Sequence, residues 1–132
     1  MSKKAIETYR GSCHCGRVQF LVKTDLLQIV ECNCSICTKK GYLHHIVLPG
    51  YFELLSGKDD LFLYQFGTRI AEHYFCKHCG ICPFCIPRSD PDKIDINVRC
   101  LDDIDITKCK VACHFDGRNW EEAILNNLSW RS

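Results

Sequence analysis

Apolar and polar residues alternate over many short stretches of this chain, and this alternation predicts β-strands. In residues 17–23, Val18, Phe20 and Val22 share one face. Further short apolar or alternating runs predict strands at residues 29–32, 44–48, 52–55, 61–66, 70–75 and 94–98. The pattern is typical of a small, mainly β protein.

Turn and helix signals separate these runs. Residues 56–60, Ser-Gly-Lys-Asp-Asp, have the composition of a hairpin turn between the strands predicted at 52–55 and 61–66. Residues 35–40 predict one or two helical turns, which Gly41 would end by adopting a left-handed conformation.

A second short helix is predicted near the end of the chain. Asn119 is a suitable N-cap for a helix that begins at Trp120. Because Trp120, Ile124 and Leu128 fall at helical spacing, we expect this helix to pack its apolar side on the sheet.

The composition is that of an ordinary globular protein. The 132 residues are 46% hydrophobic and 25% charged and contain no internal repeat, so we expect one domain over residues 1–132 with a core over about 10–123. The formal net charge is +1 and no basic stripe carries interleaved aromatic residues, so direct nucleic-acid binding is not expected. No apolar run is long enough to cross a membrane. No feature of the sequence indicates an oligomeric state.

Twelve cysteines are the outlying feature. Such a number indicates disulfides in a secreted protein and metal ligands in a cytosolic one. Residues 1–10 contain no apolar run of the kind found in a secretory signal peptide, which favours a reducing compartment with free or metal-bound thiols. We therefore expect a cytoplasmic location, with the nucleus as a second compartment. The alternative is a secreted domain whose cysteines form disulfides.

Two close cysteine pairs, each followed directly by a glycine, predict one metal site. A glycine at that position can adopt a positive φ, which lets backbone amides point back at the sulfurs. Two such knuckles far apart in sequence make a closed tetrahedral zinc site of the structural type. Its ligands would be Cys13, Cys15, Cys76 and Cys79. His14 and His78, inside the pairs, are expected to point outward, and the alternative is buried thiols without metal.

Three more cysteines, Cys32, Cys34 and Cys37, lie within six consecutive residues. The first two stand at a strand end and the third in the first turn of the predicted helix, so their sulfurs can reach one ion. A zinc held by three thiolates keeps an open position, which distinguishes a catalytic zinc from a structural one. The alternative is that His44, His45 or another cysteine completes the coordination and makes this site structural.

The remaining cysteines are expected to be small buried hydrophobes. They are Cys82, Cys85, Cys100, Cys109 and Cys113. The spacing of Cys82 and Cys85 also permits a redox pair, a third metal half-site or a disulfide, although the strand and helix that flank a thioredoxin motif are absent.

With these motifs in place, the chain resembles the family of glutathione-dependent formaldehyde-activating enzymes and centromere protein V. Three segments carry the resemblance within roughly residues 10–123. They are Gly-Ser-Cys-His-Cys-Gly at 11–16, Cys-Asn-Cys-Ser-Ile-Cys at 32–37 and Phe-Cys-Lys-His-Cys-Gly at 75–80. Pro-Arg-Ser at 87–89 and Cys-Leu-Asp at 100–102 also resemble the centromere-protein branch.

The resemblance implies a small β-rich fold with two zinc ions. It implies a structural zinc on the four paired cysteines and a catalytic zinc on Cys32, Cys34 and Cys37. The implied activity is a carbon–sulfur lyase reaction that condenses glutathione, the co-substrate, with formaldehyde to S-hydroxymethylglutathione. A small-molecule thiol is therefore the expected partner, and Arg88, Arg99 and Lys39 are candidates to bind its carboxylates.

Two other functions compete with this one. A non-catalytic zinc module for protein or chromatin partners, as in centromere protein V, would have a fourth protein ligand at the second site and a sizeable exposed apolar patch. A thiol redox enzyme would need an accessible cysteine of low pKa outside the zinc sites, for which Cys100 is the candidate.

Overall fold

The computed structural model describes residues 5–126. Within this range the chain forms ten strands and two short α-helices. The strands are β1 Glu7–Ser12, β2 Gln19–Thr24, β3 Val30–Cys32, β4 Leu43–Val47, β5 Phe52–Ser56, β6 Leu61–Tyr64, β7 Glu72–Cys76, β8 Phe84–Ile86, β9 Ile94–Asn97 and β10 Cys113–Phe115. The helices are α1 Ser35–Lys40 and α2 Trp120–Asn126. The prediction of a mainly β fold with these two helices is confirmed.

The strands form two sheets. One is three-stranded, in the order β1-β2-β5, and the other is seven-stranded, in the order β10-β3-β4-β9-β8-β7-β6. Neighbouring strands are antiparallel except β10, which runs parallel to β3 and pairs Phe115 with Cys32. The segment after β10 therefore begins beside the three-cysteine segment that follows β3.

The predicted hairpin over residues 56–60 is wrong, because β5 pairs with β2 whereas β6 pairs with β7 in the other sheet. The chain changes sheet at Gly57, which has a φ of +89°. A Cβ at this position would lie 2.5 Å from the carbonyl oxygen of Arg17. Only glycine tolerates both the conformation and the close approach.

The main core lies between the two sheets. Phe20 and Val22 of β2 pack in one cluster with Val47 of β4 and Ile96 of β9, all of them buried. Each such side chain contributes about 1.5–3 kcal/mol through its removal from water. Since side chains alternate along a strand, the opposite faces of β4 and β9 are left to carry polar residues.

Helix α1 has the ends that the sequence predicts. At its N-cap, the sulfur of Cys34 accepts a hydrogen bond from the amide of Cys37, and at its C-cap Gly41 has a φ of +64°. Lys39 and Lys40 occupy the last turn, where they complement the helix dipole. A helix of six residues is too short to be stable alone. The capping interactions at its two ends and its tertiary contacts therefore determine the positions of Cys34 and Cys37.

Helix α2 begins at Trp120 as predicted, but Asn119 is not its N-cap. Asn119 ends a 3₁₀ turn, Gly117–Asn119, that runs directly into the helix. Trp120 and Ile124 pack against the sheet, and Leu128 lies outside the described residues. Neither α-helix in the described part of the chain is long and apolar enough to span a membrane.

Three strands were missed by the sequence pattern. β1 is polar along most of its length, and β8 and β10 have only three residues each. Such strands show no usable alternation, and pairing with longer neighbours defines them instead.

Candidate metal centres

Four sulfurs from distant parts of the chain meet where the two sheets adjoin. The Sγ atoms of Cys13, Cys15, Cys76 and Cys79 all lie within 4.8 Å of one another. The sulfur of Cys15 is 3.6 Å from those of Cys13 and Cys76. Sulfurs bound at about 2.3 Å around a tetrahedral zinc would be about 3.8 Å apart, so this group fits one ion.

The backbone around the four sulfurs has the predicted form. Gly16 and Gly80 have φ values of +82° and +78°. The amide of Val18 donates to the sulfur of Cys13 at 3.3 Å. Such N–H groups stabilise a thiolate, which is the form that binds a metal.

The cysteines of this site differ in pKa, because burial raises the pKa of Cys13 to about 11 whereas Cys15 is exposed. Hydrogen bonds from the backbone and the guanidinium of Arg17 lower the pKa of Cys15 to about 6. The histidines within the two pairs, His14 and His78, are both exposed, and neither joins the group of sulfurs. His78 instead lies 2.8 Å from the carboxylate of Asp60.

Three further sulfurs meet where β3 ends and α1 begins. The Sγ atoms of Cys32, Cys34 and Cys37 lie within 4.8 Å of one another, and no fourth ligand atom joins this three-thiol cluster among residues 5–126. Hydrogen bonds from the other two thiols, followed by backbone amides, lower the pKa of Cys34. Cys34 is therefore the first of the three to ionise.

His44 contacts the three-thiol cluster through a sulfur. Its Nε2 lies 3.1 Å from the Sγ of Cys37, and its Nδ1 lies 2.5 Å from a carboxylate oxygen of Asp95. His45, the other histidine considered as a ligand, faces the hydroxyl of Thr24. In the described residues, then, neither histidine joins the group of sulfurs as a fourth ligand.

Asp95 is the buried partner of His44. It is 2% exposed, and its Oδ1 has no hydrogen-bond partner in the described part of the chain. Cys85 lies close enough to make His44, Cys85 and Asp95 a third group of possible metal ligands. However, 2.5 Å is a hydrogen-bond distance, and two ligands on one zinc would stand about 3.3 Å apart. We interpret the pair as a dyad in which Asp95 orients the imidazole toward Cys37.

A turn after β10 covers the three-thiol cluster. The side chain of Asn33 donates to Asp116 at 3.0 Å and accepts from the amide of Arg118 at 3.2 Å. These two bonds hold the intervening Gly117 so close that a Cβ there would lie 2.6 Å from the sulfur of Cys32. A glycine is required for this close packing.

The three sulfurs open onto a cavity of about 490 Å³, a size that suits a small molecule. Its walls come from residues 66–73, 85–89 and 115–120. His44 and Asp95 also line it. The cavity thus brings together segments from four distant parts of the sequence.

Two arginines, Arg88 and Arg118, line the same cavity and favour an anionic ligand. The guanidinium of Arg88 lies 3.8 Å above the ring of Trp120, which fixes its position. Of the basic residues considered from the sequence, Arg88 alone faces the three-thiol cavity in the described structure. Arg99 and Lys39 line neighbouring cavities.

His73 and Lys40 form a further polar contact at the cavity wall. The ammonium of Lys40 lies 3.1 Å from Nδ1 of His73 and 4.3 Å from the centre of the Tyr42 ring. Burial, followed by the nearby ammonium, lowers the pKa of His73 to about 4. The imidazole is therefore neutral at pH 7 and accepts the hydrogen bond from Lys40.

The five other cysteines are free thiols. Cys82, Cys85 and Cys100 are buried as predicted, whereas Cys109 and Cys113 are half-buried. Cys82 and Cys85 lie in one buried cluster with Tyr42 and form no disulfide, and burial raises the pKa of both thiols, which does not favour a redox pair. Burial raises the pKa of Cys100 to about 12, which makes it a poor candidate for a reactive thiolate.

Sequence reasoning missed most of the residues that surround the sulfurs. Asp95 has the pattern of an outward-facing residue, since it stands between Ile94 and Ile96 in an alternating strand. Gly117 and Arg118 belong to no motif. The sequence does show that Asp95 is an acidic residue between two apolar ones. That pattern alone does not indicate that its carboxylate contacts His44.

Two comparisons with known proteins bear on this site. The family described as glutathione-dependent formaldehyde-activating enzyme matches residues 8–116, a range that includes both groups of sulfurs. A protein from Rhodobacter sphaeroides, known from its crystal structure, is 32% identical in sequence. Its fold agrees with a TM-score of 0.74, over 80% of this chain and 98% of that chain.

Proposed function

The chain belongs to the family of glutathione-dependent formaldehyde-activating enzymes, and from this premise we propose that it is a zinc-dependent carbon–sulfur lyase. The proposed reaction joins a glutathione-type thiol to formaldehyde or a related small carbonyl. The observation that carries the proposal is the three-thiol cluster, which has no fourth ligand atom among residues 5–126 and opens onto a cavity. A metal bound there has room for one ligand from outside.

Two zinc ions are part of the proposal. Thiolate sulfur suits zinc, and both groups of sulfurs have the spacing that one ion requires. The structural zinc would be held by Cys13, Cys15, Cys76 and Cys79. The catalytic zinc would be held by Cys32, Cys34 and Cys37. When bound at the three-thiol cluster, zinc lowers the pKa of a coordinating thiol, so that a substrate thiol loses its proton at neutral pH.

The proposed reaction is an addition without change of oxidation state. A bond forms between the substrate sulfur and the carbonyl carbon, and the C=O π bond breaks. The thiol loses one proton and the carbonyl oxygen gains one. Because thiols add to formaldehyde unaided, the contribution of the protein is to hold the two reactants together in the cavity. Phe66 and Phe115 supply apolar parts of its walls.

Recognition of the thiol is assigned to Arg88 and Arg118. Both line the cavity that contains the sulfurs, and a glutathione-type substrate carries two carboxylates. Trp120 stacks on Arg88 and so holds one guanidinium ready for a bidentate contact. The same proposal places the protein in the cytoplasm, because free thiols and reduced glutathione require a reducing compartment.

The first test is the metal content and zinc coordination of the purified protein, with and without glutathione. We expect two zinc ions per chain and, by X-ray absorption, one added sulfur ligand when glutathione is present. Formation of S-hydroxymethylglutathione should exceed the uncatalysed rate. One ion or none, or two ions with no change at millimolar glutathione, would overturn the proposal.

A non-catalytic zinc module is the second candidate, because β6 exposes Phe62, Leu63 and Tyr64, each 44–48%. A surface of this kind is typical of a protein-binding site. The other expected feature, a fourth protein ligand at the three-thiol cluster, is absent from the described residues. A two-zinc protein that shows no rate acceleration would favour this candidate.

A further inference from the structure

An exposed apolar surface lies along β6, the end strand of the seven-stranded sheet. We call it the β6 surface. Each of its large side chains is 37–48% exposed. They are Phe62, Leu63, Tyr64, Phe66, Ile70 and Ile81. Together they leave about 500 Å² of apolar area in water, since large side chains of this kind each offer about 150–250 Å².

The β6 surface is rigid on one face. The rings of Phe62 and Phe75 stack with centroids 5.3 Å apart. Phe66 stacks on Tyr64 at 5.7 Å and on His73 at 5.8 Å. A surface that is already ordered loses little conformational entropy when a partner covers it.

The main chain of β6 is also available for pairing. β6 pairs with β7 on one side and with no strand on the other side in the described residues. Natural edge strands are usually protected by lysine, proline or a bulge. The segment 61–66, Leu-Phe-Leu-Tyr-Gln-Phe, contains no proline and no charged residue. An edge strand that is uncharged, apolar and unpaired on one side can form hydrogen bonds with a further strand.

We propose that β6 pairs antiparallel with β6 of a second copy of this chain, around a two-fold axis. One pair of oppositely charged residues that flank the strand matches this arrangement. Asp59 precedes β6 and Arg69 follows it. In an antiparallel pair, Asp59 of one copy lies at the end where Arg69 of the partner subunit lies, and the same contact repeats across the axis.

The area agrees with a stable dimer. A standard interface buries about 800 Å² on each partner, and about 65% of a homodimer interface is apolar. The about 500 Å² of the β6 surface is therefore an upper limit close to what one protomer needs, because Phe62 and Tyr64 lie on one face of the sheet and Leu63 on the other. The dimer would extend the two seven-stranded sheets into one continuous sheet.

The interface would also hold one wall of the three-thiol cavity. Phe66, Gly67 and Thr68 follow β6 directly and line that cavity. In the same loop Arg69 has a φ of +59°, which is unfavourable for a side chain other than glycine. Pairing at β6 holds both the start of this loop and the arginine within it.

The mass of the zinc-loaded full chain in solution tests the proposal. We expect light scattering after gel filtration to give twice the 15.2 kDa chain mass at tens of micromolar protein. Leu63→Arg should give the monomer mass, because it places two like charges near the two-fold axis. Leu55→Arg is the matched control, since Leu55 is an exposed leucine in β5, the edge strand of the other sheet. It should leave the dimer intact.

Exchanging the charges of Asp59 and Arg69 provides a second test, which holds even if Leu63→Arg fails to fold. Arg69→Asp should raise the dimer dissociation constant about 10-fold or more, and Asp59→Arg combined with Arg69→Asp should restore it. A monomeric wild type at tens of micromolar would overturn the proposal, and so would a dimer that survives Leu63→Arg. A dimer lost equally in Leu55→Arg, or no recovery in the double variant, would also contradict it.

Discussion

Nε2 of His44 lies 3.1 Å from the sulfur of Cys37, and its Nδ1 lies 2.5 Å from the carboxylate of Asp95. A buried imidazole therefore stands between a proposed zinc ligand and a buried acid. A ring with a proton on each nitrogen donates to the carboxylate and to the sulfur at once, and a hydrogen bond to a metal-bound thiolate withdraws charge from the sulfur and fixes its direction. His44 is thus proposed to position a ligand without binding the metal itself.

We expect His44→Leu to weaken zinc binding at the three-thiol cluster by about 10- to 100-fold. His44→Gln should recover part of the loss, because its amide can donate to the sulfur. Chelator competition and the thiolate-to-metal absorption band of the cobalt-substituted protein measure the effect. His45→Gln is the control, since His45 is equally buried but faces Thr24. Equal effects of His44→Leu and His45→Gln on zinc binding would contradict the proposed role.

The two groups of sulfurs should respond differently to loss of one ligand. Cys34→Ser is expected to abolish activity and remove one zinc while the fold is kept. Cys76→Ser should lower the Tm by about 10 °C or more, because the four-sulfur site joins the two sheets. Zinc content, circular dichroism and thermal melting check this. If Cys34→Ser unfolds the protein as badly as Cys76→Ser, the catalytic assignment loses its support.

The turn over the three-thiol cluster predicts a steric effect. Gly117→Ala would place a methyl group 2.6 Å from the sulfur of Cys32. We expect a loss of about 1–3 kcal/mol in the free energy of unfolding, together with weaker zinc binding at this cluster. Gly50→Ala is the control, because a Cβ there meets no atom within 4 Å. Urea denaturation measures the loss of stability, and chelator competition measures the loss of zinc affinity. Equal destabilisation by both variants would contradict the close packing seen at Gly117.

Substrate binding should depend on the two cavity arginines. Arg88→Gln and Arg118→Gln should each raise the KM for glutathione by about 10- to 100-fold, with a smaller change in kcat, since each removes a charged hydrogen bond. Lys39→Gln removes the same charge from a different cavity and should leave the KM unchanged. Steady-state kinetics with glutathione varied provides the test. A rise in KM for the lysine variant alone would reverse the assignment.

The stability of the protein should fall in mild acid because of His73. Its folded-state pKa of about 4 lies below the ordinary value of 6.5, so the fold favours the neutral ring. The stabilisation that the fold gains from the neutral His73 ring is fully present above pH 6.5 and is lost as the pH falls toward 4. Urea denaturation at pH 7 and 5 should show a steeper loss for the wild type than for His73→Phe. Equal slopes would show that His73 does not take up a proton on unfolding in this range.

Local features were the predictable part of this fold. Cys34 and Gly41 cap α1 through contacts within the helix itself, so the position of Cys37 follows from sequence spacing. The glycine after each cysteine pair also acts locally, and Gly16 and Gly80 adopt the expected positive φ. Such features depend on neighbours a few residues away.

Features that depend on distant contacts were not predictable. The turn at Gly57 has hairpin composition, yet β2 and β7 are better partners for the strands on either side of it. Gly117 is required by Cys32, which lies 85 residues earlier, and no local pattern encodes that contact. Most of the cavity wall therefore appears only once the sheets are assembled.

The different sequence spans of the two groups of sulfurs determine the order in which they become complete during synthesis. All three ligands of the three-thiol cluster lie within residues 32–37, so a nascent chain carries this complete set of ligands as soon as the segment leaves the ribosome. The four-sulfur site needs Cys13 and Cys79, which close a loop of more than 60 residues across two sheets. We therefore expect metal to bind at the three-thiol cluster first and at the four-sulfur site last, after both sheets have been synthesised.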